Sequence, residues 1–209
     1  IIPVIGCAGI CLLMHYVIGG PLGALTGALT TMLNNLGTGN LVLLGIVQGC
    51  MLAFDMGGPC NKVAYAFALA CMETGNYAPM AANFIACCAP PLAMAFAMLI
   101  APKKFTKEDR TGIAGCFAGA LCMITEFAIP YAAKNLKYIP CFMVGSAVGS
   151  VMSYLWGITI RAPHGGVFVV FAMNKVLPFF ICLIVAGAVS AALIVLVSKT
   201  KTEEELAAE

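Results

Sequence analysis

A carboxylate, Glu126, stands beside Thr125 inside the otherwise apolar stretch MITEFAIPYAAKN, positions 123–135. A carboxylate accepts hydrogen bonds from hydroxyl groups in two directions, which suits a sugar or another polyol, and it can accept a proton from a reacting hydroxyl. An acid inside a membrane helix costs about 2.5–3.5 kcal/mol on insertion scales, so it requires a reason. The alternative is a hairpin tip at which the acid lies in water.

A second polar cluster interrupts the apolar stretch AFDMGGPCNKVAYAF. Its candidate binding residues are Asp55, Gly57, Gly58, Asn61 and Lys62. The two glycines and Pro59 predict a helix break, and a break frees amide and carbonyl groups that can point at a polar solute, as in transporters with discontinuous helices. The alternative is that Asp55 and Lys62 only pair with each other or cap the two half-helices.

A third cluster, TIRAPHGGVFVV, places Arg161 and His164 between two apolar segments, followed by Gly165 and Gly166. Histidine can donate or accept a hydrogen bond at neutral pH, and paired glycines let the backbone approach a ligand closely. A lone histidine of this kind is more often an exposed loop residue. The neighbouring proline and glycine pair favour a role in binding.

The other reactive residue types carry no recognisable site. We assign structural roles to Glu73, at a helix end, and to His15, in the first span. The eleven cysteines are scattered through apolar segments without metal-ligand spacing, so we expect reduced, buried thiols, no metal and no cofactor. No phosphate-binding loop or nucleophile motif occurs, and a net charge of +2 without a basic patch argues against nucleic acid.

The composition identifies a membrane protein. Hydrophobic residues make up 62% of the chain and charged residues 10%, with a mean hydropathy of +1.00. Apolar segments at 76–100, 139–160 and 176–198 approach or exceed the ~20 residues that cross a bilayer. The sequence therefore predicts an all-α integral membrane protein, a polytopic helix bundle with broken helices and re-entrant hairpins.

Shorter segments complete the predicted bundle. We expect a first span ending near Ile18, an amphipathic helix over 21–36, a membrane-embedded helix over 40–54 and a helix over 62–73. Pro90 and Pro91 predict a kink in the span that begins at 77, with the freed backbone satisfied by neighbouring helices. The first span begins partway, without a methionine or a signal peptide, so we expect a fragment of a larger protein.

Basic residues predict the orientation. The loop PKKFTKEDR, at 102–110, is the most strongly charged, so we expect it in the cytoplasm together with the C-terminal tail. An even number of crossings must then lie between them. Three apolar segments are available, so one of them turns back, and Lys134 and Lys137 favour the segment 112–137. A straight tilted span at that place remains the alternative.

Three motifs in order, DMGGPCNKVAYAF, ITEFAIPYAA and RAPHGGVFV, resemble enzyme IIC, the membrane component of the fructose-specific phosphotransferase system. The resemblance covers about positions 3–199 and implies a membrane-embedded transport domain over 1–198, which lacks the N-terminal spans of the family, followed by a polar cytoplasmic tail over 199–209. It implies a multi-pass protein of the bacterial inner membrane.

The resemblance also implies a function. Family members are homodimeric permeases that bind a hexose, here fructose, and present its C1 hydroxyl to a phosphocysteine on enzyme IIB, which is charged from phosphoenolpyruvate by upstream proteins of the system. Glu126 matches the membrane acid of the family and His164 the histidine of its PHGG motif. None of the eleven cysteines lies in a soluble context that resembles the IIB site. The main alternative is an ion-coupled secondary transporter with Glu126 and Asp55 as coupling acids.

The sequence departs from the family pattern next to Glu126. Members usually read TEGAIPF, whereas this chain has Phe127 after the acid and Tyr131 after the proline. The ring of Phe127 would narrow the cavity, offer a stacking face to a sugar or mark a different substrate.

Overall fold

The computed structural model describes residues 2–13 and 40–198, with a few single positions between them. Its α-helices are α1 (Ile2–Leu13), α2 (Leu41–Phe54), α3 (Pro59–Glu73), α4 (Ala78–Ile100), α5 (Lys107–Thr111), α6 (Ile113–Cys122), α7 (Ile129–Lys134), α8 (Tyr138–Leu155) and α9 (Val176–Val197). Apart from one isolated bridge between Ile160 and Met173, these ranges contain no β-structure. The predicted all-α membrane bundle is confirmed, and α4, α8 and α9 are long and apolar enough to cross a bilayer.

Most predicted boundaries agree with the structure to within a few residues. The largest difference is at 139–160, where α8 ends at Leu155 and a loop follows. The helix predicted from 62 begins at Pro59, because proline at the first helical position has a suitable φ and needs no amide partner. The predicted amphipathic helix over 21–36, His15 and the tail over 199–209 lie outside the described residues.

The central element is α4, which contacts α2, α6, α8 and α9. In an 18-residue window of this helix 83% of the residues are buried, compared with 39% in α9. Pro90 lies inside α4 and has no amide to donate, so the carbonyl of Ala86 loses its helical partner. The hydroxyl of Ser146, on α8, donates to that carbonyl over 3.0 Å. A neighbouring helix therefore satisfies the carbonyl freed by Pro90, which is the part of the prediction that this contact confirms.

Helices α2 and α8 approach each other closely through two glycines. A Cβ atom added to Gly49 would lie 2.6 Å from the carbonyl oxygen of Ser146 and 2.7 Å from the backbone of Ala147, and one added to Gly45 would lie 2.9 Å from the backbone of Val151. Small residues one turn apart allow such contact between helices in a bilayer, where packing rather than exclusion of water holds helices together.

The segment 112–137 turns back on itself. Helix α6 ends at Met123, which adopts a left-handed conformation with φ of 63°, and the chain returns through a 3-10 turn and α7. The ammonium group of Lys134 donates to Asp109 Oδ1 over 2.7 Å, and the hydroxyl of Tyr131 donates to the carbonyl of Asp109 over 3.1 Å. The two ends of the segment are therefore adjacent, so the hairpin prediction is favoured over a straight span.

Other contacts place the basic loop and the end of α9 at the same end of the bundle. Lys104 donates to the carbonyls of Val195 and Ser198, over 2.6 and 2.9 Å. The hydroxyls of Tyr138 and Ser198 are 2.9 Å apart, so α8 begins at that end too. With the hairpin returning to its starting end, α8 and α9 are the two crossings that remain, which agrees with the predicted even number.

The close approach of α2 and α8 yields a testable prediction. Gly49→Ala forces a Cβ atom against fixed backbone, and overpacking of this kind costs about 1–3 kcal/mol of stability. We expect a lower Tm for the detergent-solubilised protein. The matched control is Gly9→Ala on α1, where an added Cβ meets nothing within 4 Å. Equal Tm values for the two variants would contradict the packing.

A second prediction concerns the base of the hairpin. Partial burial disfavours the charged form of Asp109, but hydrogen bonds from Lys134 and Thr106 outweigh that cost and hold the pKa of Asp109 below its ordinary value. Because the pKa is lower in the folded state, this stabilisation is complete above the unfolded pKa of about 4 and is lost as the pH falls through the folded value.

We therefore expect Asp109→Asn to lower the free energy of unfolding by about 1 kcal/mol at neutral pH and to have a progressively smaller effect as the pH falls below about 4. The control is Glu108→Gln, because the Glu108 carboxylate is 82% exposed and lies 3.7 Å from the same lysine. Denaturant unfolding at several pH values measures both variants. A pH-independent loss in Asp109→Asn would show that the charge does not hold the hairpin closed.

Candidate functional site

A partly enclosed cavity of about 230 Å³ lies where three interruptions of the helical chain meet. Its lining residues are Asn61, Lys62, Tyr65, Cys87, Met123, Ile124, Thr125, Glu126 and His164. Cys87 stands near the middle of α4, so the cavity lies about halfway along the longest buried helix. Transporter sites made from discontinuous helices lie at this depth, near the bilayer midplane.

The first interruption separates α2 from α3. The carboxylate of Asp55 accepts the backbone amides of Cys60, over 2.7 Å, and of Asn61, over 2.9 Å, so it caps the start of α3. The side-chain amide of Asn61 donates to the carbonyl of Leu52 at the end of α2, over 2.6 Å. A Cβ atom on Gly58 would lie 2.6 Å from Asp55 Oδ2, so glycine there makes room for the cap.

Lys62 follows this cap and points toward the hairpin. Its Nζ lies 3.9 Å from Oε1 of Glu126, and the side chains of the two residues are 65% and 45% exposed. Gly57, with φ of +109°, contacts the Glu126 carboxylate directly, where any Cβ would collide with it. The suggested pairing of Lys62 with Asp55 is therefore wrong, because the lysine pairs with Glu126. Asp55 has the capping role that was suggested beside it, since its carboxylate accepts backbone amides at the start of α3.

The second interruption is the tip of the hairpin. Its left-handed residue, Met123, lets the amide of Ile124 donate back to the carbonyl of Gly119 over 2.8 Å. The chain then presents Thr125, 3% exposed, and Glu126 to the cavity through a 3-10 turn. The Glu126 carboxylate is thus held at a point where the helix is interrupted, and protein side chains surround the cavity that it faces.

Phe127 does not line the cavity. Its ring packs against α6, where Cβ atoms added to Gly119 and Gly115 would lie 2.6 and 3.5 Å from it. The suggestions that this ring narrows the cavity or stacks on a sugar are not supported by its position. The phenylalanine side chain, bulkier than the glycine usual at this position, instead fills the space between α6 and the returning segment of the hairpin.

The third interruption is the loop that contains the PHGG sequence. Gly165, with φ of +125°, donates its amide to Nδ1 of His164 over 2.8 Å. Because Nδ1 accepts, the neutral ring carries its proton on Nε2, which leaves a donor available for a ligand. Gly166 contacts the carbonyl of Leu121 at the end of α6 so closely that a Cβ would collide with it. This contact brings the histidine to the hairpin tip.

Tyr65 connects the loop to α3. Its hydroxyl donates to the carbonyl of Pro163 over 2.8 Å, and its ring meets that of His164 edge to face, with centroids 6.3 Å apart. Arg161, by contrast, places its guanidinium 5.6 Å from the centre of the Tyr77 ring and is absent from the cavity lining. It stabilises the loop and is not a candidate ligand.

The predicted site residues thus divide into two groups. Asn61, Lys62, Thr125, Glu126 and His164 line the cavity. Asp55, Gly57, Gly58, Gly165 and Gly166 lie behind them and fix the backbone. Glu73 is exposed at the end of α3, outside the cavity, and its structural role stays a prediction.

Sequence reasoning missed Tyr65, Cys87, Met123 and Ile124, which also line the cavity. Tyr65 had a usable signal, since residues four apart on a helix share a face and it stands four after Asn61. Cys87 stands four residues before Pro91, so its carbonyl lacks a helical donor, but nothing in its own surroundings distinguishes it from the other cysteines.

The cavity collects a carboxylate, an ammonium group, an imidazole, a hydroxyl and an amide beside apolar side chains, in the interior of a membrane helix bundle. Such a set can accept from and donate to the hydroxyls of a small polar solute while the apolar groups contact its carbons. The fold and site together define a membrane transport protein for polar solutes.

Comparison with known proteins identifies the family. The chain is 41% identical to the fructose permease IIC component of Bacillus amyloliquefaciens, over 98% of the chain and 67% of that protein. It is also 41% identical to the fructose-specific EIIABC component of Bacillus subtilis, over 98% of the chain and 32% of the relative. It is 41% identical to the fructose-specific EIIB'BC component of Escherichia coli, over 92% of the chain and 35% of that relative.

The chain belongs to the family of fructose-specific phosphotransferase IIC components. It spans about two thirds of the first of these relatives and about one third of the fused ones. No protein-family profile and no solved structure matches it.

The cavity predicts a difference between two adjacent thiols. Cys87 lines the cavity with 4% of its surface exposed, whereas Cys88, in the same apolar core, is completely buried. We expect a small water-soluble methanethiosulfonate to label Cys87 faster than Cys88 in the folded protein. Mass spectrometry of two variants, each with one of these cysteines replaced by serine, measures the labelling. Equal labelling of the two thiols would argue against a water-accessible cavity at this depth.

Proposed function

We propose that the chain binds and translocates a hexose, with fructose as the substrate, and presents it for phosphorylation by enzyme IIB to give the sugar 1-phosphate. The observation that carries the proposal is the convergence of Glu126 and His164, from two separate interruptions, on one cavity at half the depth of the bundle. The names of two relatives, which join IIB and IIC components specific for fructose, support the same function.

In this function the sugar hydroxyls enter the cavity beside the loose contact between Lys62 and Glu126. Glu126 accepts from the reacting hydroxyl, and the Nε2–H group of His164 and the amide of Asn61 orient the rest of the ring. The carboxylate takes the hydroxyl proton as the C1 oxygen attacks phosphorus. The bond between phosphorus and the sulfur of the IIB phosphocysteine breaks, and the thiolate leaves. Glu126 is the proposed catalytic residue.

The surroundings implied by this function belong to the same proposal. The chain lies in the bacterial inner membrane as a homodimer, receives phosphoryl groups from enzyme IIB and the upstream proteins of the system, and keeps its C-terminus in the cytoplasm. The contacts of Lys104 with the end of α9 support a common side for the basic loop and the tail.

An ion-coupled transporter is the alternative, and the site does not favour it. That alternative uses Glu126 and Asp55 as coupling acids, but both oxygens of the Asp55 carboxylate already accept backbone amides. Losing them to an ion or a proton would uncap α3, which costs about 0.5–2 kcal/mol.

The test compares the parent chain with Glu126→Gln in membranes supplied with phosphorylated enzyme IIB and fructose. Glutamine keeps the size of the side chain and one acceptor oxygen but cannot take a proton. We expect sugar 1-phosphate formation to fall by about 10²–10⁴-fold while fructose binding changes much less. The control is Glu73→Gln, at the exposed end of α3, which should behave as the parent.

Two results would contradict the proposal. If the parent accumulates unmodified sugar under an ion gradient and forms no phosphorylated product, the ion-coupled alternative is correct. If Glu126→Gln phosphorylates fructose as fast as the parent, the carboxylate is not the proton acceptor.

A further inference from the structure

Lys62 is the one lysine or arginine among the described lining residues of the cavity. The side chain is 65% exposed and makes a single loose contact, 3.9 Å from the Glu126 carboxylate. Lysine carries its charge on a flexible four-carbon stem, so the ammonium group can move several ångströms without moving α3. An ammonium group held this loosely is available to another anion.

A phosphoryl group that enters this cavity needs such a partner. The group carries negative charge on its oxygens, and the proposed reaction brings it toward a carboxylate of the same sign. The amides at the start of a helix commonly bind phosphate, but here those of Cys60 and Asn61 are occupied by Asp55. The Nδ1 atom of His164 already accepts the amide of Gly165. Lys62 is therefore the remaining group in the described cavity with charge to offer.

We propose that Lys62 binds the transferring phosphoryl group rather than the sugar, an inference that rests on the proposed function. As the phosphocysteine arrives, the ammonium group moves from Glu126 to a non-bridging phosphoryl oxygen. The sugar oxygen forms its bond to phosphorus, the sulfur–phosphorus bond breaks, the thiolate leaves and the hydroxyl proton passes to Glu126. One lysine thus stabilises the charge of the phosphoryl group and frees the carboxylate that accepts the proton.

The test separates the sugar from the phosphoryl group. Fructose and fructose 1-phosphate binding, and phosphoryl transfer from phosphorylated enzyme IIB, are measured on the full chain in membranes for the parent, Lys62→Gln and Lys62→Arg. The control is Lys107→Gln, which removes a positive charge from the exposed start of α5.

We expect Lys62→Gln to bind fructose within about threefold of the parent, to bind fructose 1-phosphate at least about tenfold more weakly, and to lose about 10²–10³-fold in kcat. Lys62→Arg keeps the charge and should recover part of both losses. Lys107→Gln should match the parent in all three measurements.

Other outcomes overturn the inference. If Lys62→Gln weakens fructose and fructose 1-phosphate by the same factor, the lysine is an ordinary sugar ligand. If all three measurements match the parent, it takes no part in the site. If the parent transfers no phosphoryl group, the proposed function itself fails, which differs from the case in which the parent is active and Lys62→Gln retains its rate.

Discussion

The structure depends on a single constraint, which is that a backbone amide or carbonyl inside a membrane must have a hydrogen-bond partner. Every interruption of a helix frees such groups, and several of the groups freed here have partners close at hand. The Asp55 carboxylate accepts backbone amides at the start of α3. The side-chain amide of Asn61 donates to a carbonyl at the end of α2, and the hydroxyl of Ser146 donates to the carbonyl that Pro90 leaves free. The partners come from elements other than the broken ones or from across the break, so satisfying the backbone also fixes where the broken ends lie.

This coupling explains why the site is built at breaks. Gly57 and Gly166 each allow a backbone approach that a Cβ would prevent, the first to the Glu126 carboxylate and the second to the end of α6. The two approaches tie the α2–α3 break and the PHGG loop to the same hairpin tip. Because α4 is largely buried and forms one side of the cavity, the polar side chains that follow each break converge on that cavity.

The sequence was sufficient for the helices and for five of the nine cavity residues because both leave local signals: long apolar segments, and polar residues next to Gly and Pro. The partners in space were not predictable. Lys62 and Glu126, which pair in the structure, lie 64 positions apart in the sequence. The orientation of Phe127 depends on glycines in a preceding helix. Cys87 was missed because it lines the cavity only through its contact with the hairpin tip. No sequence pattern around position 87 indicates that contact.

Two ion pairs of the hairpin show how distance and exposure separate a structural role from a functional one. At its base, Lys134 and Asp109 are 2.7 Å apart, and the Asp109 side chain is only 11% exposed. At its tip, Lys62 and Glu126 are 3.9 Å apart, and both side chains are at least 45% exposed. Lys134 is 53% exposed, but a short pair with one partner largely buried still costs more to separate than a long pair whose partners are both exposed. The base pair therefore keeps the hairpin closed, while the tip pair only balances two charges until a ligand offers each of them a better partner.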